Sequence, residues 1–387
     1  MSGRNRYLNA RLQGYTSTIF AEMSALALAT GSINLGQGFP DVDGPDVIKR
    51  AAIKAIEDGH NQYPPGIGIA SLRSAIADHQ QRYYGLRFDP DAEILVTAGA
   101  TEAIASCLLS LCETGDEVVM FEPYYDSYAA CTAMAGAQRR VVPLRTPDWS
   151  FEPAALENAI TERTRLILVN SPHNPTGKVF TLAELEVIAD TARRHDLLVV
   201  TDEVYEHLVY ESPHIPLASL TGMAERTITI SSAAKSYSFT GWKVGWACAR
   251  SELITAIRSA KQFLTYVNAA PFQPAIAEGL NTCDDYLVEA AATLREKRDL
   301  LASGLDAAGF KVFPSHGTFF ITTDITSITD EDGYTFCLAL PERCGVVAVP
   351  SSVFYDDRDA GCHLVRWMFS KRREVLVDAV ERLERLR

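Results

Sequence analysis

Between residues 87 and 250 short apolar runs alternate with stretches whose apolar residues recur at helical spacing. The runs fall at 93–97, 117–121, 166–170, 197–201, 227–231 and 244–249. Residues 182–195 typify the stretches between them, with Leu182, Leu185, Ile188, Ala189 and Ala192 on one helical face. Such alternation predicts an α/β fold with a parallel or mostly parallel sheet covered on both faces. Sheets of this kind bind ligands beyond the C-terminal ends of their strands, so the residues following each run carry the candidate chemistry.

Past residue 280 the pattern changes. Residues 284–308 read as one long helix, with Leu287, Ala291, Leu294, Leu301 and Leu305 on a common face. Asp284 or Asp285 can cap its start, and Gly309 stops it. Strand-like segments follow at 311–313, 318–322, 346–349 and 363–369, then a closing helix at 373–386. The expected organisation is an arm and part of the small domain over 1–45, a large domain over 46–280 and a smaller α+β domain over 281–387.

Composition narrows the classes. The 387 residues suffice for two or three domains. An apolar share of 47% with 22% charged residues is that of a globular chain, not a disordered one. The net charge of −13, with no compensating basic run, argues against a nucleic-acid partner. No stretch approaches roughly 18 uninterrupted apolar residues, so no membrane span is expected. Residues 1–10 carry basic side chains with no apolar run behind them, unlike a signal peptide. The cytoplasm is the expected address. Cys107, Cys112, Cys131, Cys248, Cys283, Cys337, Cys344 and Cys362 form no CxxC and read as reduced structural thiols. The histidines form no HExxH, so no metal site is expected.

The strand ends hold unusual residues. The first run leads into Ala98-Gly99-Ala100-Thr101-Glu102-Ala103, either a phosphate-binding helix start or a tight turn capped by Thr101. The third leads into Asn170-Ser171-Pro172-His173-Asn174-Pro175-Thr176-Gly177, where two amides sit in a turn stiffened by proline. The fourth ends on Asp202-Glu203-Val204-Tyr205; a buried Asp here needs a cation or donors, unless it caps a helix. The fifth opens Ser231-Ser232-Ala233-Ala234-Lys235, with Lys243 eight residues on. Lys235 is either a solvated charge or an amine placed for Schiff-base chemistry. Arg366, inside an apolar strand, requires a carboxylate from the protein or from a ligand. There is no GxxxxGK[ST] or GxSxG, and Asp41-Val42-Asp43-Gly44 and Asp330-Glu331-Asp332-Gly333 lack the EF-hand spacing. Gly66 and Gly68 follow Pro64-Pro65 rather than a strand, so they form no dinucleotide fingerprint.

Together these segments resemble the class I/II aminotransferases of the fold-type I pyridoxal-phosphate family. The resemblance runs from Asn34-Leu35-Gly36-Gln37-Gly38-Phe39-Pro40-Asp41 to Leu364-Val365-Arg366, through the Asn-Pro-Thr-Gly turn and the Ser-Ala-Ala-Lys…Gly-x-Lys-x-Gly segment. The runs 121–128 and 61–66 are similar to the branch holding kynurenine, glutamine/methionine and N-succinyldiaminopimelate aminotransferases. The resemblance implies a large domain with a mostly parallel seven-stranded sheet, a smaller α+β domain, pyridoxal 5'-phosphate as cofactor and no metal. It implies transamination between an L-amino acid and a 2-oxo acid such as 2-oxoglutarate. Lys235 would carry the cofactor as a Schiff base and shuttle a proton, and Asp202 would meet the pyridine nitrogen. Tyr205 and Asn170 would bond the phenolic oxygen, and Tyr125 would stack on the ring. Gly99, Ala100, Thr101, Ser232 and Lys243 would hold the phosphate, with Tyr63 reaching the phosphate of a second subunit in a homodimer. Arg366, Asn174 and Gly38 would grip the substrate carboxylate. Much of the wider family has Arg where this chain has Lys243, a point charge without the fork. Tyr15, Phe20, Tyr63 and Tyr125 suit an aromatic or long thioether donor without excluding a succinylated diamine. Cysteine-conjugate β-lysis on the same lysine, and effector sensing without catalysis, are the alternative activities.

Overall fold

The computed structural model describes residues 5–386, so Met1–Arg4 of the segment weighed as a leader lie outside it. In chain order the strands are β1 (Ile33–Asn34), β2 (Ile94–Thr97), β3 (Glu117–Glu122), β4 (Gln138–Pro143), β5 (Thr164–Asn170), β6 (Leu198–Asp202) and β7 (Thr227–Ser232). They continue as β8 (Gly245–Cys248), β9 (Lys311–Val312), β10 (Phe320–Asp324), β11 (Val346–Val347), β12 (Val349–Pro350) and β13 (Leu364–Met368). Seven build the central sheet in the order β2-β8-β7-β6-β5-β3-β4. Only β8 runs against its neighbours β2 and β7; the other adjoining pairs are parallel. Six of the seven coincide with the apolar runs.

β4 is the strand the pattern missed. It lies at an edge of the sheet, and its first half, Gln138-Arg139-Arg140, is polar and exposed or half-buried, which leaves only Val141-Val142-Pro143 as an apolar stretch. The inner strands are buried on both faces and therefore read as continuous apolar runs. On one face Val118, Met120, Leu166, Leu168 and Val200 pack beneath the helices Gly99–Leu111 and Ser251–Leu264. On the other, Val119, Phe121, Ile167, Val169 and Val199 share one core with Phe319, Phe336 and Trp367. Each such side chain contributes about 1.5–3 kcal/mol on burial. This shared core ties the second sheet, ordered β12-β13-β10-β9, to the first.

The long helix spans Asp284–Ala307, but neither aspartate caps it: Cys283 precedes it without a side-chain cap bond, and Asp284 instead pairs with Arg82 at 3.0 Å. The expected strand at 346–349 is two strands: β11 pairs with β1 and β12 with β13. β10 starts at Phe320 rather than 318, because Thr318 adopts φ 66°. The closing helix ends at Leu383, followed by one tight turn, Glu384–Leu386. All eight cysteines are free, and only Cys362 is not buried. Among the described residues no helix is long and apolar enough to cross a membrane.

Candidate active site

The parallel strands deliver their C-terminal residues to one place. Asn170 ends β5, Asp202 ends β6 and Ser232 ends β7, with Lys235 one turn further on. The helix Gly99–Leu111 opens beside them, and Arg366 arrives from β13 in the second sheet. These side chains line a cavity of about 340 Å³.

Lys235 sits in its wall, where Nζ donates to the Gly38 carbonyl at 3.0 Å. Burial lowers its pKa to about 8, against the pull of the Asp202 charge and with help from the Arg366 and Lys243 charges. Asp202 is buried, and burial raises its carboxyl to about 6. Two donors resist that rise: the Tyr128 hydroxyl to Oδ2 at 2.7 Å and the Val204 N–H to Oδ1 at 3.4 Å. Asp202 caps no helix, since the chain continues as turns.

A hydrogen-bonded chain crosses from β6 to β13. Asn170 Nδ2 donates to the Asp202 carbonyl at 2.8 Å, and Asn170 Oδ1 accepts from the Asn174 N–H at 2.7 Å. Asn174 Oδ1 accepts from Arg366 Nη1 at 2.9 Å, and Arg366 Nη2 donates to the Gly36 carbonyl at 2.9 Å. The guanidinium lies 4.0 Å from the Phe320 ring centroid and is 1% exposed. Among the described residues no carboxylate forms an ion pair with it, and its Nε has no partner. Burial lowers its pKa to about 10. A buried cation left this way is costly until an anion arrives.

At the other end Gly99 adopts φ 73°, and a Cβ there would lie 3.0 Å from Lys243 Nζ. A Cβ on Gly245 would come 2.6 Å from the Gly99 carbonyl carbon, so only glycine lets β8 approach the turn. The Ala98 N–H is taken by Glu102 Oε2 at 2.6 Å. Helical geometry leaves the following first-turn N–H groups without an internal acceptor, and Gly99, Ala100 and Thr101 all line the cavity. Ala98 occupies the capping position, so Thr101 is not the cap.

Of the candidate residues, Gly38, Gly99, Ala100, Thr101, Tyr125, Asn170, Asn174, Asp202, Tyr205, Ser232, Lys235, Lys243 and Arg366 all line this cavity. Tyr63 does not: it is 80% exposed, with its ring edge-on to Tyr266 at 5.6 Å. Phe20 and Tyr125 also line a neighbouring groove of about 990 Å³, where Tyr15 accepts from Arg139 at 3.2 Å. Sequence reasoning gave Tyr128 no role; its signal is the three-residue step from Tyr125 at the start of the helix Asp126–Ala135.

An amine of lowered pKa beside a buried carboxylate, an anion cup of N–H groups and a guanidinium lacking its carboxylate define a cofactor-dependent site for amino and oxo acids. The family model for class I and II aminotransferases matches residues 30–362, and the chain belongs to that family. It is a pyridoxal-phosphate-dependent enzyme that moves amino groups between amino acids and 2-oxo acids. It is 52% identical to the probable N-succinyldiaminopimelate aminotransferase of Mycobacterium tuberculosis, over 97% of each chain. The solved N-succinyldiaminopimelate aminotransferase structure from that organism superposes with a TM-score of 0.96, over 98% of this chain and 100% of the other. Kynurenine–oxoglutarate transaminase 3 of Mus musculus is 37% identical over 98% of this chain and 90% of its own. The residues present fit the cofactor: the guanidinium without a carboxylate, the glycine cradle against Lys243, the Lys235 amine and the Asp202 carboxyl supply the charges that it and its substrate require.

Proposed function

We propose that Lys235 is the lysine that bonds the cofactor and that the enzyme transaminates an N-succinylated diamino acid with 2-oxoglutarate. In this reading Ala100 and Thr101 N–H groups, the Ser232 hydroxyl and Lys243 hold the phosphate, and Gly99 permits their close approach. Asp202 keeps the pyridine nitrogen protonated through its charge. Asn170 and Tyr205 hydrogen-bond the phenolic oxygen, and Tyr125 covers the ring. Arg366, with Asn174 and the backbone at Gly38, grips the substrate carboxylate and so aims the α-hydrogen at Lys235. Lys235 Nζ, freed once the substrate's amino group has taken its place, would take that proton as a general base. When bound, the cofactor supplies a sink for the electron pair the proton leaves behind.

The observation carrying this reading is the buried Arg366 guanidinium, without a carboxylate, in the same cavity as Lys235. The succinylated donor is supported by the 52% identity and by the neighbouring groove, which gives a long donor room beyond Phe20 and Tyr125. A homodimer is supported by exposed Tyr63, Phe263 and Tyr266, at 80%, 85% and 56%, which a second copy would cover. In the same reading 1–45 forms the arm and part of the small domain, 46–280 the large domain and 281–387 the rest of the small domain, and the enzyme acts in the cytoplasm.

Borohydride reduction of the holoenzyme followed by peptide mapping tests the lysine: the label is expected on Lys235, and a label elsewhere overturns the assignment. Comparing N-succinyl-LL-diaminopimelate, kynurenine, glutamine and methionine as donors to 2-oxoglutarate tests the substrate. The succinylated donor is expected to have the highest kcat/KM, and a higher value for another donor reassigns it.

A further inference from the structure

Behind the strand end that carries Asp202, the fold assembles a second polar cluster that the transamination reading does not use. Glu206 and His207 lie just past Tyr205, and His79 projects from the helix Ala70–Tyr84 to meet them. The His79 and His207 Nε2 atoms face each other at 2.7 Å. One ligating atom from each of His79, Glu206 and His207 falls within 4.8 Å of the others. The Glu206 carboxylate is oriented by the Ser231 hydroxyl, which donates to Oε1. Its other oxygen, Oε2, is buried on a residue only 3% exposed, with the Tyr84 hydroxyl nearby and no cation bonded to the carboxylate. A buried carboxylate served only by neutral hydroxyls lacks the positive partner that a cation would supply.

The geometry points to a divalent transition-metal site, of the zinc type, formed by His79 Nε2, His207 Nε2 and Glu206 Oε2. Two imidazoles and one carboxylate are a donor set that zinc accepts, with a fourth position left for water. Zinc–nitrogen bonds of about 2.0–2.1 Å at a tetrahedral angle separate the nitrogens by roughly 3.3 Å, so from 2.7 Å the two rings need to part by about 0.6 Å. Tyr83 walls the pair, its ring 4.8 Å from that of His79 and 4.7 Å from that of His207. His207 is the one ligand only partly buried, and it gives the ion a route from solvent. The ion touches no reacting atom. It clamps the helix Ala70–Tyr84 to the 202–207 segment, so its role is positional and structural.

The test uses holoenzyme stripped with a chelator, equilibrated with zinc chloride and dialysed, with bound metal measured by elemental analysis. Wild type is expected to retain one zinc per chain. His79→Gln and His207→Gln should each weaken zinc binding at least tenfold, and Cys362→Ser, which alters the one thiol not fully buried, should not. Zinc should raise the thermal midpoint of wild type and leave that of the histidine variants unmoved. No retained zinc in wild type, or zinc retained equally by both histidine variants, overturns the site. Should the variants fail to fold, anomalous diffraction at the zinc edge from soaked wild-type crystals decides: a peak between His79, Glu206 and His207 supports the site, and peaks only elsewhere overturn it.

Discussion

The Tyr128 hydroxyl donates to Asp202 Oδ2 at 2.7 Å, across 74 residues of sequence. The bond joins the start of one helix to the end of a central strand, and it opposes the burial that raises the Asp202 carboxyl to about 6. Tyr128 therefore helps to keep charged the group proposed to face the pyridine nitrogen.

Tyr128→Phe removes that donor and keeps the ring. A hydrogen bond to a charged group contributes about 1.5–3 kcal/mol, so kcat should fall roughly ten- to a hundredfold. The donor KM should change little, since the phenol touches no proposed carboxylate contact. Steady-state kinetics on variant and wild type check this, and an unchanged kcat removes Tyr128 from the mechanism.

In cofactor-free protein the buried Asp202 has a stability cost whose sign is fixed by its raised pKa. The folded state holds the proton more tightly than the unfolded chain, so the protonated carboxyl carries no such cost below pH 3.8, and the cost appears as pH rises through about 6. Asp202→Asn should therefore stabilise the cofactor-free protein at pH 7.5 by at most about 3 kcal/mol, and by nothing near pH 3.8. Denaturant melts at several pH values measure the difference, which should close as the solution is acidified.

Lys235 should govern how cofactor-free protein captures pyridoxal phosphate. Only the neutral amine attacks an aldehyde, and burial brings its pKa to about 8. The second-order rate of holoenzyme formation should climb about tenfold per unit below pH 8 and level off above it. Stopped-flow absorbance follows the reaction, and a midpoint near 10.5 would place the amine in a solvated setting instead.

Arg366→Lys separates charge from geometry. Lysine keeps the cation but cannot reach both Asn174 Oδ1 and the Gly36 carbonyl while presenting two parallel donors to a carboxylate. The kcat/KM should drop roughly ten- to a hundredfold for the amino donor and for 2-oxoglutarate alike. The bound cofactor's visible band should persist, since the proposed cofactor lysine and phosphate contacts are untouched. Separate titration of the two substrates checks the shared loss.

Gly245→Ala places a methyl 2.6 Å from the Gly99 carbonyl carbon and 2.8 Å from the Ala100 nitrogen. The strand and the turn proposed to hold the phosphate must separate, so pyridoxal phosphate should bind at least tenfold more weakly. Overpacking of this kind costs about 1–3 kcal/mol of stability. Equilibrium dialysis and thermal melts read the two effects independently.

Much of the site was legible along the chain because its residues follow buried strands. Asn170, Asp202 and Lys235 stand at the ends of apolar runs, and parallel strands bring such ends together whatever their exact packing. Arg366 was legible in another way, as a lone cation in an apolar strand; its lack of a protein carboxylate emerged only from its neighbours in space. The edge strand β4 escaped because one solvated side breaks the apolar run that marks its neighbours.

Hydrophobic periodicity is a local property, set by residues two to four apart, and it determined the buried strands of the central sheet, the helices between them and where the strand-end residues fall. Contacts between distant residues depend instead on how those elements pack. The Tyr128–Asp202 bond, the approach of Gly245 to Gly99 and the meeting of His79 with His207 across 128 residues carry no local spacing signal. The tertiary structure alone decided them, because helix-on-sheet packing chooses which side chains share a buried space and which polar atoms must find partners there.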